Sequence, residues 1–206
     1  MTRLESTFRS ELRKFREEGT QDFEYVVSLL SGMSRRGYFH TMDEEALSLR
    51  ISRLDGLLAT SEQLPPQERL FQLKDIGDEV LFLTGMFPPF LARIYRQGTV
   101  GLQFYMQQGR RSYWGAAALA EEQRRAAAAR LLDSLAQEFL PWVQTLIQVR
   151  ARFDHTIKPL DERSLAVIER ETGVNYEAAR LEAFIEQHPE VMLPQQEYGP
   201  DGFAVN

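Results

Sequence analysis

The sequence predicts an all-α fold: a single multi-helix bundle over residues 1–156, then a short two-helix extension and an extended tail over 157–206. Three observations carry this. Apolar residues recur at three-and-four spacing along most of the chain, the period of amphipathic helices. No stretch shows the alternation of a half-buried strand. The segment Pro66–Phe87 is apolar around most of its helical circumference, which places it in the middle of a bundle.

Taken in order, Leu4, Phe8, Leu12 and Phe15 form a first helical stripe that ends near Gly19. Asp22 to Leu30 reads as a second helix, with Phe23, Val26, Val27 and Leu30 inward, and Ser31 to His40, holding Gly32 and Gly37, as a loop. Thr41 with Glu44 makes a capping-box pattern that opens a third helix, striped by Leu47, Ile51, Leu54 and Leu58. Leu64-Pro65-Pro66 closes that segment, and proline suits the first turn of the helix that follows. Leu70, Leu73, Val80, Leu83 and Phe87 line one side of this central helix, and Phe71, Asp78, Phe82 and Gly85 a neighbouring side.

Pro88-Pro89 breaks it, a short helix runs through Tyr95, and Gly98-Thr99 turns the chain. Leu102, Tyr105, Met106, Gly109, Tyr113, Ala116 and Ala120 stripe another long helix running from Val100. The alanine-rich stretch beyond it has high helix propensity. Leu131 to Phe153 then keeps near-heptad spacing, with a kink or break expected at Pro141. After Lys158-Pro159, Asp161–Glu171 and Asn175–Gln187 read as two short helices, Gly173 serving as a left-handed cap and Asn175 as an N-cap.

Composition narrows the function classes. A formal charge of −6 and a pI near 5.2 lack the basic footprint of a nucleic-acid partner. Absent cysteine removes disulfides, thiol catalysis and thiolate metal sites, and fits a reducing compartment. The charged N-terminal segment predicts neither signal peptide nor anchor, and no apolar run reaches the roughly 20 residues of a membrane helix. The expected location is the cytoplasm, without membrane insertion.

Candidate chemistry is sparse. His40, His155 and His188 are far apart and form no Glu-x-x-His or His-x-x-x-His pair, so no metal site is predicted. Asp154 and His155 are neighbours that on a helix would point about 100° apart. No phosphate loop, dinucleotide fingerprint or nucleophile elbow occurs, so no cofactor and no catalytic residue is assigned. The segment around Gly173 has the outline of a helix-turn-helix, but its second helix carries three glutamates and one arginine, a poor complement to phosphate.

Asp78 stands out because a carboxylate on an apolar strip must be paired, hydrogen-bonded or neutral. Arg93, Arg96, Arg110 and Arg111 are its candidate partners by sequence; the readings are a buried bridge to the helix after Gly98, a perturbed acid at a pocket, or a side chain that reaches solvent. Tyr105, Gly109 and Tyr113 share one stripe. A glycine inside a helix costs about 1 kcal/mol against alanine, which points to close approach of a backbone or a ligand at Gly109, and likewise at Gly77 and Gly85.

The block Gly77, Asp78, Leu81, Phe82, Gly85 and Phe87, followed by Tyr105, Gly109 and Tyr113, resembles one shared by a family of bacterial all-helical proteins without an established activity. The resemblance implies a bacterial origin and transfers no catalytic residue. The functional expectation is therefore a non-enzymatic protein-interaction or regulatory domain, binding another protein or itself, a homodimer included. The alternative is a small-ligand binder or unusual enzyme with a pocket between Pro66–Phe87 and the Val100–Ala120 helix, lined by Asp78, Tyr105, Gly109, Arg110 and Tyr113.

Overall fold

The computed structural model describes residues 3–36, 44–95, 101–153 and 161–189. Among them stand ten α-helices and no strand. They are α1 (Arg3–Leu12), α2 (Gln21–Arg35), α3 (Glu44–Thr60), α4 (Pro66–Met86), α5 (Pro88–Tyr95), α6 (Leu102–Glu122), α7 (Ala126–Gln137), α8 (Phe139–Phe153), α9 (Glu162–Thr172) and α10 (Tyr176–Gln187). The Thr41 cap, the Gly98-Thr99 turn, the Lys158-Pro159 stop and the tail lie outside the described residues.

Helix α4 is the spine. It opens with Pro66 in its first turn, and from Ile76 to Met86 every residue but Glu79 is buried. Its longest contacts are with α6 and α8, while α2 and α3 cover another side. Phe71, assigned by pattern to the strip that holds Asp78, instead stays half-exposed beneath the Arg125 guanidinium, 5.6 Å from its ring centroid.

Glycines set how close α4 comes to its neighbours. A Cβ on Gly77 would sit 2.6 Å from the Tyr113 ring of α6, and one on Gly109 2.5 Å from the Phe139 ring. Gly85 faces α8, not α6: its missing side chain is replaced by Leu146.

Three boundaries differ from expectation. Helix α2 continues past Gly32 to Arg35, because Ser31 and Met33 are themselves buried and draw the helix onward. The alanine-rich stretch breaks after Glu122, where Arg124 takes a left-handed φ of 58°. The Arg125 N–H donates to Ala120 O at 2.8 Å and the Arg124 N–H to Glu121 O at 2.8 Å. This is a Schellman closure with arginine where glycine is usual, at a backbone cost of about 1–2 kcal/mol. Finally, the interruption expected at Pro141 falls at Glu138, which leaves the proline in the first turn of α8, where its missing N–H goes unneeded.

At the C-terminal end, Asp161 caps α9 by accepting from the Ser164 N–H, Gly173 closes it with φ 75°, and Asn175 caps α10 by accepting from the Ala178 N–H. Ile168 and Tyr176 join the same apolar core as α4. Arg152 of α8 ties Glu11 of α1 to Glu186 of α10.

Candidate functional site: a polar cluster beside a cavity

The most unusual chemistry in the interior gathers on Asp78, 7% exposed in the middle of α4. The hydroxyls of Tyr25 (α2) and Tyr113 (α6) both donate to its Oδ1 at 2.7 Å. The Lys74 ammonium, one turn earlier on α4, donates to Oδ2 at 2.7 Å and to Asp75 at 3.1 Å. One carboxylate thus pins three helices, and its charge is matched by one ammonium.

Gly77 makes this geometry possible. It lets the Tyr113 ring lie against the α4 backbone, which aims the hydroxyl at the neighbouring carboxylate.

Burial and the Asp78 charge raise both phenols well above the ordinary tyrosine range. For Lys74, burial pulls downward, but the Asp78 charge and the hydrogen bonds to Asp78 and Asp75 outweigh it, and the net shift is upward. The two phenols and the ammonium therefore keep their protons around neutral pH. A general acid or base works best with a pKa near the operating pH, so these three groups hold structure and charge rather than relay protons.

The raised phenols make a prediction. Above about pH 10 an unfolded tyrosine loses its proton while a folded one with a raised pKa keeps it, so the native state holds more protons and stability falls as pH rises. Each such phenol contributes a slope of about 1.4 kcal/mol per pH unit, starting near pH 10. Absorbance at 295 nm should show Tyr25 and Tyr113 ionising only as the protein unfolds, and Tyr25→Phe should flatten the alkaline decline.

Asp78 and Lys74 also line a cavity of about 610 Å³ bounded by α2, α3 and α4. Leu29, Met33, Leu54 and Leu57 supply an apolar wall, and Tyr25, Gln72, Asp75 and Glu79 a polar one. Arg50 of α3 pairs with Glu79, and Gln72 donates to Leu57 O at 2.7 Å, so α3 is held to α4 along the cavity's length. Gly32 stands in the wall with open space where its side chain would be.

Of the residues singled out from sequence, Asp78 and Tyr113 come together. Gly109 is packed between Val80 and Phe139 in the α4–α6 seam. Tyr105 is buried elsewhere on α6, its hydroxyl 3.3 Å from both Asp55 oxygens. Arg110 is exposed and stacks on Trp114, 4.4 Å from the ring centroid. Among the described residues the partners of Asp78 are two phenols and a lysine, not Arg93, Arg110 or Arg111; Arg96 lies outside the described residues. The cavity correspondingly lies against α2 and α3, and no α6 residue lines it.

Lys74 was readable from its spacing, four residues before Asp78. Tyr25, 53 residues away on another helix, left no local signal.

Among the described residues no group of three or more metal-ligating side chains gathers, and no helix is long and apolar enough to cross a membrane. No protein-family model, curated protein or solved structure matches the chain.

Proposed function

We propose that this protein binds a small molecule in the cavity between α2, α3 and α4. The observation that carries the reading is the cavity itself: about 610 Å³ falls within the roughly 300–1,000 Å³ of ligand sites, with an apolar wall facing a few placed polar groups. The Lys74–Asp78 cluster gives that polar side a rigid base, since Asp78 is held from three helices. The setting proposed is a bacterial cytoplasm, on the resemblance carried by Gly77–Tyr113 and the absence of cysteine.

Gly32→Trp tests this reading. The new ring enters open space in the cavity wall, so the fold should survive while the volume is lost. Native mass spectrometry and ligand-observed NMR with a fragment library should show binding to the wild type that the variant loses, with melting temperatures within a few degrees. Binding unchanged by Gly32→Trp, or absent from both proteins, would count against the cavity.

A second reading, docking of a protein partner or a second copy, draws on α10. Leu181 and Phe184 are 60% and 50% exposed there and stand three residues apart on one face. Sedimentation of the wild type against Leu181→Ser would reveal such self-association.

A further inference from the structure

Among the described residues, the charges lining the cavity do not balance, and this narrows the ligand that the reading above implies. The described part of the walls presents four cations, Arg36, Arg50, Arg53 and Lys74, and three carboxylates, Asp75, Asp78 and Glu79. Every carboxylate is already engaged: Lys74 serves Asp78 and Asp75, and Arg50 serves Glu79. The guanidinium groups of Arg36 and Arg53 have no acidic or hydrogen-bonding partner among the described residues. Both residues are exposed, Arg36 at the end of α2 and Arg53 on α3. In a chain of formal charge −6, the described part of the lining thus carries two cations without a partner beside one apolar wall. Guanidinium groups match carboxylate and phosphate oxygens in charge and in the fork of their N–H donors.

We infer that the ligand is an amphipathic anion, its carboxylate or phosphate held by Arg36 and Arg53 and its apolar body laid against Leu29, Met33, Leu54 and Leu57. The inference rests on the small-molecule reading and adds the sign and the polarity of the ligand. A cationic ligand would meet unmatched arginines at the mouth. A wholly apolar one would leave the polar wall without partners, at a cost in desolvation.

Calorimetric titration with octanoate, octyl phosphate and octylammonium tests it on the wild type, on the double variant Arg36→Gln/Arg53→Gln and on Gly32→Trp. The expected result is binding of at least one of the two anions at least tenfold tighter than octylammonium. The double variant should lose at least tenfold in that affinity while melting within a few degrees of the wild type, and Gly32→Trp should abolish binding. Whichever of octanoate and octyl phosphate binds tighter then separates a carboxylate from a phosphate ligand. Equal binding of octylammonium, or anion binding untouched by the double variant, overturns the anion assignment. If Gly32→Trp still removes that binding, the cavity reading itself survives. Binding of none of the three probes, together with no cavity-dependent fragment, overturns both.

Discussion

Replacing Asp78 with alanine is expected to lower the folding free energy by about 3 kcal/mol, among the largest single effects in the molecule. The reason is not one lost ion pair. The change leaves two phenol hydroxyls without their acceptor, and Tyr113, fully buried, bears the larger share of the loss. Each buried donor left unsatisfied costs about 1–3 kcal/mol. The Lys74 contribution is smaller, because its side chain is 30% exposed and its ammonium retains Asp75 and water. Asp78→Asn keeps an oxygen for the phenols and gives up mainly the charge, so it should cost clearly less than the alanine change. Urea unfolding of the two variants measures the difference. Equal losses would mean that the Lys74 charge, not the phenols, dominates the cluster.

Gly85→Ala comes next, with an expected loss of about 2 kcal/mol from overpacking. A methyl group there collides with Leu146 Cβ, an atom anchored to the α8 backbone, so relief requires the two helices to separate. The usual gain from removing a helix glycine, about 1 kcal/mol, opposes this without cancelling it. Gly56→Ala on α3 is the control. It meets open space, so only the propensity gain remains and stability should rise by about 0.5–1 kcal/mol. Opposite signs for the two substitutions would establish that α4 touches α8 through Gly85. A stable Gly85→Ala protein would contradict that packing.

The fold class was legible because α4, α6 and α8 carry long apolar stripes, and because prolines and capping residues mark real boundaries: Pro66 opens α4, Gly173 and Asn175 separate α9 from α10. What was not legible shares a cause. The break at Arg124 has no glycine or proline to announce it; the left-handed turn is imposed by packing of α7 against α6 at a residue that local propensity would keep helical. Gly32, a loop signal by composition, sits inside α2 because buried Met33 anchors the last turn.

At the candidate site, helical spacing singled out Asp78 and Tyr113, whereas Tyr25 arrives through tertiary packing alone. Arg110 lies near Asp78 only in sequence; on α6 it stacks with Trp114 on the exposed side. A periodic pattern reveals which residues share a face, not which helix that face meets. That is why a pocket expected along α6 gave way to a cavity along α2 and α3.

The most direct test of the cavity is a methyl spectrum of the protein labelled with ¹³C-methyl methionine, recorded with octanoate, octyl phosphate and octylammonium in turn. Met33 lines the cavity, Met106 is buried on α6 and Met86 ends α4, so three of the six methionines report on three places. The Met33 resonance is expected to move with at least one of the two anions while Met106 and Met86 stay in place, and Gly32→Trp is expected to remove the shift. Movement of Met106 with Met33 unchanged would put the ligand on α6, and a spectrum in which no methyl responds to any of the three probes would contradict the cavity as the site of an amphipathic anion.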